Sequence, residues 1–269
     1  MKTILVHIAD DDGFESRLQA AFDLARAFGG HLICQQATPY AAYAMGGPGL
    51  GAFPITELVT AVEAARDALR QRVEAHLMAE GVSWDYHLVD GDPGDWLVTT
   101  ARLADVVVMS AGKFGGTGGF GVAETGDIAV RAPAPVLAVP PGGRGVAVTG
   151  AAVVAWDGTQ EAALAMRAAL PMLRLAESVE LLTIAEKTSG FAGRDAAAFL
   201  SRHGIHAELT TRPALDAGID ATLRAALVER RAAWLVLGAY GHSRLREMLL
   251  GGVTRSLIGE APLPLLLAH

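Results

Sequence analysis

The sequence has very little cysteine, few aromatic residues and no long apolar segment. Of its 269 residues, 6% are aromatic and one, Cys34, is a cysteine. No disulfide can therefore form within the chain, which is typical of a protein from a reducing compartment. No segment reaches the ~20 consecutive apolar residues of a membrane-spanning helix, and the start MKTILVHIADDD lacks the pattern of a signal peptide. We expect a soluble cytoplasmic protein without a membrane partner, in which Cys34 is a buried small side chain and not a nucleophile.

An excess of positive charge is also absent. Lys and Arg together number 22 against 29 Asp and Glu, which gives a formal net charge of -7. Since nucleic-acid binding needs a basic surface, we expect no nucleic-acid partner. The apolar fraction of 51% is typical of an ordered globular protein. The length exceeds that of a typical single domain and favours two.

Apolar runs that are typical of buried strands alternate with helix-like segments along the whole chain. This alternation predicts an α/β fold with a parallel sheet. The predicted strands are 3–8, 31–37, 83–89, 105–110, 135–139, 150–156, 178–184, 206–212, 234–238 and 264–268. The predicted helices lie near 15–29, 55–80, 94–103, 124–131, 159–175, 191–203, 216–232 and 252–260.

The second half of the chain repeats the order of the first. The segment RAPAPVLAVP closes the first half and GEAPLPLLLAH closes the second, which indicates a tandem duplication. The Pro- and Gly-rich segment 140–150 is interpreted as the linker. We therefore expect two five-stranded domains, 1–141 and 148–269, that pack through their closing strands. The insert 38–54 is expected to be an ordered surface loop.

Ligands of open parallel sheets bind beyond the carboxyl ends of the strands, where the strand order reverses. In the second half this crevice would lie between the loops that follow its first and fourth strands. The first of these loops, AWDGTQEA, contains Asp157 followed by Gly158. Asp157 has the chemistry to accept from a ribose hydroxyl or to help hold Mg²⁺. The alternative is that Asp157 caps the following helix.

The loop after the fourth strand of the second half is GAYGHSRLREMLLGGVTR, residues 238–255. Gly238 and Gly241 would let the backbone approach a ligand closely. A helix that begins near Gly251 and Gly252 would present free amide groups to an anion. Further donors in or beside this loop are His242, Ser243, Arg244, Thr254 and Arg255. The loop is not a Walker A motif, because no G-x-x-x-x-G-K-[ST] occurs in the chain.

This segment resembles the nucleotide-binding signature of the universal stress protein family, which is G, two residues, G, nine residues, G, then Ser or Thr. Gly238, Gly241 and Gly251 match with the correct spacing. The resemblance extends over both halves through VVAWDGTQEA, GDPGDWLVTTARLADVVVMSAG and APLPLLLAH. It implies a Rossmann-like fold of the adenine nucleotide alpha hydrolase type, with strand order 3-2-1-4-5 in each half.

The resemblance also implies roles for individual residues. Asp157 and the backbone of Ala155 would flank adenosine, and Gly238 and Gly241 the ribose and α-phosphate. The phosphates would lie on residues from the end of the loop, with His242, Ser243 and Arg244 as further contacts. These residues are Gly251, Gly252, Val253 and Thr254. Gly252 stands where the family has Ser or Thr, so one hydroxyl contact worth about 1 kcal/mol is lost.

The first half departs further from the signature. Its loop SAGKFGGTGGFGVAETGDIAV contains Gly112 and Gly115, with Thr125 where the third Gly is expected. If Gly116 is used instead, Gly126 is in place but Asp127 takes the hydroxyl position, where a carboxylate repels phosphate. Ala9 occupies the aspartate position. We expect the first half not to bind ATP and its glycine loop to cover the crevice or to contact the other half.

Other polar groups give no convincing catalytic or metal site. The eight histidines show no metal-binding motif, and the acidic turn 10–12 is expected to be a solvated cap because the spacing of an EF-hand is absent. The leading hypothesis is a tandem universal stress protein that binds ATP or another adenine nucleotide and regulates a stress response, with slow hydrolysis or none. A homodimer or an intrachain pseudo-dimer is expected. The alternative is a nucleotide-free interaction protein.

Overall fold

The computed structural model describes residues 1–40, 55–112, 119–185, 191–239 and 252–269. Its strands are β1 (Thr3–Ile8), β2 (His31–Thr38), β3 (Ser83–Asp90), β4 (Val106–Ser110), β5 (Val136–Val139), β6 (Ala152–Ala155), β7 (Val179–Ala185), β8 (Ala207–Pro213), β9 (Trp234–Gly238) and β10 (Leu265–Ala268). Its helices are α1 (Phe14–Phe28), α2 (Ile55–Glu80), α3 (Pro93–Thr100), α4 (Val122–Arg131), α5 (Gln160–Leu173), α6 (Gly193–Arg202), α7 (Gly218–Glu229) and α8 (Gly252–Gly259). A 3₁₀ turn, Ala101–Leu103, follows α3.

The strands form one sheet in the order β3-β2-β1-β4-β5-β10-β9-β6-β7-β8. All neighbours are parallel except β5 and β10, which pair antiparallel. Each half of the sheet has the order 3-2-1-4-5, so the predicted α/β fold is confirmed. Most differences from the predicted bounds are at the ends of elements. The sequence does not reveal that the two halves share a single ten-stranded sheet.

The closing strands β5 and β10 join the two halves. Leu137 lies opposite Leu266 in this antiparallel ladder, and both side chains are fully buried. Burial on both faces explains why these strands read as continuous apolar runs in the sequence. The expectation that the halves meet through their closing strands is confirmed.

Helices cover both faces of the sheet. One face packs against α1, α2, α5 and α6, and the other against α3, α4, α7 and α8. Each of the two hydrophobic clusters contains residues of both halves. The edge strands β3 and β8 differ from the central strands because many of their side chains are exposed. No helix in the described ranges is long and apolar enough to cross a membrane.

The segment 140–150 is fixed to α1 although its composition is typical of a flexible linker. Val146 and Val148 are buried, and the amide of Val146 donates to Asp23 Oδ2 over 2.9 Å. Gly145 has a φ of 81°, and a Cβ there would lie 2.2 Å from Asp23 Oδ2. The connection therefore belongs to the packed structure. The domain bounds 1–141 and 148–269 stay a prediction, and most of the predicted loop 38–54 lies outside the described residues.

Because the core on each face crosses the β5–β10 junction, both halves should unfold together. Leu266→Ala is expected to remove about 2 to 5 kcal/mol of the free energy of unfolding and to shift one cooperative transition. Leu103→Ala, at a side chain that is 88% exposed, should change it by less than about 0.5 kcal/mol. Urea unfolding followed by circular dichroism measures both. Two separate transitions, only one of them displaced by Leu266→Ala, would contradict this expectation.

Candidate functional site

The carboxyl ends of β6 and β9 lie side by side in the second half. Val154 is opposite Val236 in the parallel ladder, and the strand order reverses between these two strands. The structure therefore brings the two loops of the predicted crevice to adjacent positions. Ala155, the last residue of β6, is partly buried, and Asp157 is exposed just beyond it.

Asp157 stabilises the turn that leads into α5. Its Oδ1 accepts from the amide of Thr159 over 3.0 Å and from the Thr159 hydroxyl over 2.6 Å. Thr159 is itself the helix cap, since its Oγ1 accepts from the amide of Ala162 over 3.2 Å. Gly158 permits the turn with a φ of 80°. The residue that caps α5 is therefore Thr159 and not Asp157. Asp157 contributes indirectly, because its carboxylate holds the capping residue in place.

Trp156 fixes the same turn from the other side, a role that the sequence interpretation missed. Its indole Nε1 donates to the carbonyl of Phe191 over 3.0 Å, and the amide of Phe191 donates to the carbonyl of Gly158 over 3.3 Å. The Trp156 side chain is buried, whereas Phe191 is 74% exposed. The sequence Trp-Asp-Gly at the end of an apolar strand could have indicated this role. A tryptophan that is buried there needs a hydrogen-bond acceptor for its indole N–H.

Gly238 has a structural role that its predicted ligand role does not include. A Cβ at this position would lie 2.6 Å from the amide nitrogen of Ala162 and 2.7 Å from the carbonyl carbon of Glu161. Only glycine therefore lets the first turn of α5 pack directly on the end of β9. The backbone beyond it is held as well, because the amide of Ala239 donates to the carbonyl of Ala268 over 2.8 Å.

Helix α8 begins at the same edge of the sheet, because it crosses between the parallel strands β9 and β10 and so runs opposite to them. Its first residue, Gly252, is exposed, and a Cβ there would meet no atom of the described residues within 4 Å. Val253 is partly buried and Thr254 is buried. Five predicted contacts, namely Gly241, His242, Ser243, Arg244 and Gly251, lie outside the described residues.

Asp157 is also predicted to contact magnesium. Within the described ranges, no three His, Cys, Asp or Glu side chains are grouped so that they could hold an ion. Since Mg²⁺ retains several waters and is usually held by phosphates with one or two carboxylates, Asp157 alone would be a minor ligand. The magnesium contact stays a prediction.

The strand registers show which residues of the two halves correspond. Val6 is opposite Val108 in the pairing of β1 with β4, as Val154 is opposite Val236 in the pairing of β6 with β9. From these pairs, His7 corresponds to Ala155, Ala9 to Asp157 and Ser110 to Gly238. The helices agree with this match, because the buried positions of α5 repeat those of α1 at a constant offset. The matched residues are Phe14, Arg17, Leu18, Ala21, Leu24 and Ala25 with Ala162, Ala165, Met166, Ala169, Met172 and Leu173.

The sequence alignment of the first glycine loop is therefore wrong by two residues. Ser110, and not Gly112, corresponds to Gly238, because each lies two residues after the matched pair Val108 and Val236. The next residue agrees, since the amide of Ala111 donates to the carbonyl of Val139 as the amide of Ala239 does to that of Ala268. The first half thus lacks the first glycine of the motif. The glycines at 115 and 116 lie outside the described residues.

The first-half residues that match the predicted phosphate contacts of the second half are also not those that the sequence alignment gave. Thr125 lies eleven residues before Val136, as Thr254 lies eleven before Leu265, and these two strand residues are paired equivalently with β4 and β9. Thr125 therefore corresponds to Thr254, and both are buried. Asp127 does not take the hydroxyl position. Its carboxylate is exposed and accepts from Arg131 Nη1 of the same helix over 2.9 Å.

The end of β1 in the first half is occupied by Arg17 of α1. Its Nη2 donates to the carbonyl of Ala9 over 2.9 Å, and its Nη1 donates to both carboxylate oxygens of Asp11 over 3.0 and 3.1 Å and to the hydroxyl of Ser110. The side chains of Arg17 and Asp11 are each 1% exposed. The expectation of a solvated acidic turn is therefore wrong for Asp11, although Asp10 and Asp12 are exposed.

His7 is buried on the opposite face of the same strand, where its ring contacts that of Phe120 at an interplanar angle of 38°, with 4.5 Å between the ring centroids. Its Nδ1 has no hydrogen-bond partner among the described residues. Burial, and secondly the charge of Arg17, holds the pKa of His7 well below its ordinary value of 6.5. His7 is therefore neutral in the folded protein near pH 7.

Two further groups are unsuited to catalysis. Burial raises the pKa of Cys34 to about 12, so its thiol stays protonated, in agreement with the sequence prediction. His31 contacts Ser83 Oγ through Nδ1 over 2.7 Å and Asp85 Oδ2 through Nε2 over 3.1 Å. This Ser-His-Asp trio consists of a half-buried histidine and two exposed residues at the amino ends of β2 and β3, away from the carboxyl ends that form the crevice. Its histidine nitrogens are used in the reverse order from a serine hydrolase.

Comparisons with known proteins identify relatives of the chain. The family model described as the universal stress protein family matches residues 1–140. Among curated proteins, no sequence matches the chain significantly.

Solved structures that resemble the chain include a universal stress protein from Archaeoglobus fulgidus DSM 4304. It has 14% sequence identity and a TM-score of 0.75, and the match covers 99% of this chain and 97% of that one. UspA from Lactobacillus plantarum (21% identity, TM-score 0.39) covers 51% of this chain with 96% of its own length. A universal stress protein in complex with cAMP (22% identity, TM-score 0.35) covers 51% of this chain with 94% of its own length. Because the first of these structures is only 14% identical to the chain, its similarity shows the fold alone.

The lowered pKa of His7 makes the stability of the protein depend on pH. Between the folded pKa and the unfolded value near 6.5, only the unfolded chain binds a proton at His7. The stabilisation is therefore complete above about pH 6.5 and is lost as the pH falls below that value, by up to about 1.4 kcal/mol per pH unit. His7→Asn should remove this component.

Urea unfolding of the wild type and of His7→Asn at about pH 7.5 and about pH 5.5 measures the effect as the difference between the two pH dependences. His206→Asn, which removes an exposed imidazole, is the matched control for the substitution. An identical loss of stability in the wild type and in His7→Asn would contradict the assignment.

Proposed function

The chain belongs to the universal stress protein family, and from this membership we propose that its second half binds an adenine nucleotide such as ATP. The proposed biological role is that of a cytoplasmic regulator of a stress response with slow hydrolysis or none. The proposal includes a tandem origin for domains 1–141 and 148–269, and pairing of two chains as a homodimer.

The observation that carries this proposal is the position of the second-half crevice. The carboxyl ends of β6 and β9 adjoin where the strand order reverses, which is the usual ligand position of an open parallel sheet. Ala155 leaves room beside this point because it has only a methyl side chain. The exposed carboxylate of Asp157 just beyond the strand end suits a ribose hydroxyl.

The amino terminus of α8 supports the phosphate part of the proposal. The amides of its first turn have no partners within the helix, and the helix dipole favours a negative charge at this end. Gly252 at the start of this helix is exposed, as contact with an anion requires. Mg²⁺ would come with the nucleotide and be held chiefly by phosphates and water.

Calorimetric titration with ATP and Mg²⁺ tests this function. The intact protein is expected to bind ATP, and Asp157→Ala should weaken binding about 5- to 10-fold because one hydrogen bond to the ligand is lost. Asp127→Ala, which removes an exposed carboxylate of the first half, serves as the control and should leave the affinity unchanged. Gly251→Asp should abolish binding by placing a carboxylate beside the phosphates.

No binding by the intact protein would overturn the proposal and favour the nucleotide-free interaction protein. Binding that none of these substitutions weakens would exclude the second-half crevice as the site.

Gly252 offers a gain-of-affinity test. A Cβ at this position meets no atom of the described part of the chain within 4 Å, so a serine fits against these neighbours without displacing them. Gly252→Ser restores the hydroxyl of the family signature and should tighten ATP binding about 5-fold, which corresponds to about 1 kcal/mol for one hydrogen bond.

Gly252→Ala is the matched control, because it adds the Cβ without the hydroxyl. It should leave the affinity for ATP near that of the wild type when both variants are titrated by calorimetry. Equal affinities of Gly252→Ser and Gly252→Ala would show that the hydroxyl does not contact the phosphates.

A further inference from the structure

The first half contains a buried guanidinium where the second half has only small side chains. Arg17 corresponds to Ala165, and Ser110, which it contacts, corresponds to Gly238. The Arg17 guanidinium lies between the carboxyl ends of β1 and β4, because it bonds the carbonyl of Ala9 and the hydroxyl of Ser110. These ends adjoin where the strand order of the first half reverses.

The contacts of Arg17 have the composition of a cation site. They consist of one buried carboxylate, one backbone carbonyl and one hydroxyl, contributed by Asp11, Ala9 and Ser110. The carboxylate is fixed independently of the arginine, because Asp11 Oδ1 also accepts from the amide of Gly13 over 2.9 Å. The Nε of Arg17 has no hydrogen-bond partner among the described residues. The guanidinium is therefore held through its two terminal nitrogens.

A second side chain fills the other face of the same strand end. His7 corresponds to Ala155 and is covered by the ring of Phe120. Both residues are at most 9% exposed. The first half thus has larger side chains on both faces at positions where the second half has alanine or glycine, and at Gly238 the first turn of α5 takes the space of the missing side chain.

We propose that the ligand crevice of the first half is closed by the chain itself, with the Arg17 guanidinium as its resident occupant in a site formed by Asp11, Ala9 and Ser110. This site takes a free guanidinium compound when the arginine side chain is removed. The proposal concerns described residues of the first half and does not depend on nucleotide binding by the second half.

The test is chemical rescue of Arg17→Ala. Truncation leaves the buried carboxylate of Asp11 without its partner and is expected to lower the midpoint of thermal unfolding by about 10 °C. Ethylguanidinium replaces the atoms that the alanine variant lacks. It should raise the midpoint of this variant along a saturable curve, by about 4 °C at ten times its Kd, and leave the wild type without a saturable rise.

Three controls separate this site from general salt effects. Ethylammonium has the same charge without the planar fork of donors and should give no saturable rise. Arg26 lies on the same helix, is 46% exposed and forms ion pairs with Asp23 and Glu80. The variant Arg26→Ala should not respond to ethylguanidinium. The double variant with Arg17→Ala and Asp11→Asn should not respond either.

Equal rises with the two cations, or an equal rise in Arg26→Ala, would overturn the proposal, as would the absence of any rise in Arg17→Ala. If Arg17→Ala is insoluble, it is refolded with each cation at the same concentration. A higher soluble yield with ethylguanidinium than with ethylammonium supports the site, and equal yields contradict it.

Discussion

The antiparallel pairing of β5 with β10 is the contact on which the rest of the structure depends. Three residue pairs, all buried, join two five-stranded halves into one sheet. Because the pairing is antiparallel, the two halves are oriented oppositely along the strand direction. The carboxyl ends of the strands, and with them the two crevices, therefore point in opposite directions. One continuous core on each face follows from the same pairing.

Within this shared framework the two crevices have different chemistry. In the second half, Ala155 has only a methyl side chain, Gly238 packs against the first turn of α5, and the turn at Asp157 is held by Thr159 and Trp156. In the first half, His7 and Ser110 stand at the matched positions. A buried charged residue is costly unless it is paired and hydrogen-bonded, and Arg17 is both. The two halves thus share an aligned core, and the first half has buried side chains where the second half has the proposed ligand site.

The fold was predictable from the sequence because it depends on local patterns. The run VVVMS is buried throughout, and the first three residues of WLVLG are buried as well. The helices between the strands follow from periodicity and length. The crevice position followed from the strand order. The shared sheet was not predictable, because a short apolar strand has the same sequence pattern whether its neighbour is parallel or antiparallel.

The first-half site could not be predicted, because its contacts are distant in sequence. Arg17 is an ordinary polar residue in the pattern of α1, and only the fold brings it to Ser110, 93 residues later. The two-residue error at Gly112 has a related cause, since a glycine-rich loop offers several alignments and only the strand register selects one. Gly238 was singled out from the sequence, but the structure gives a further reason for the glycine. The packing of α5 on β9 requires it whether or not a ligand binds.

The central claim is that only the second of two similar halves takes a nucleotide. The number of nucleotides bound per chain, measured by native mass spectrometry of the intact protein at saturating ATP, tests it most directly. One bound nucleotide per chain is the predicted result. Two per chain would contradict the closure of the first half, and none would contradict the assignment of the second.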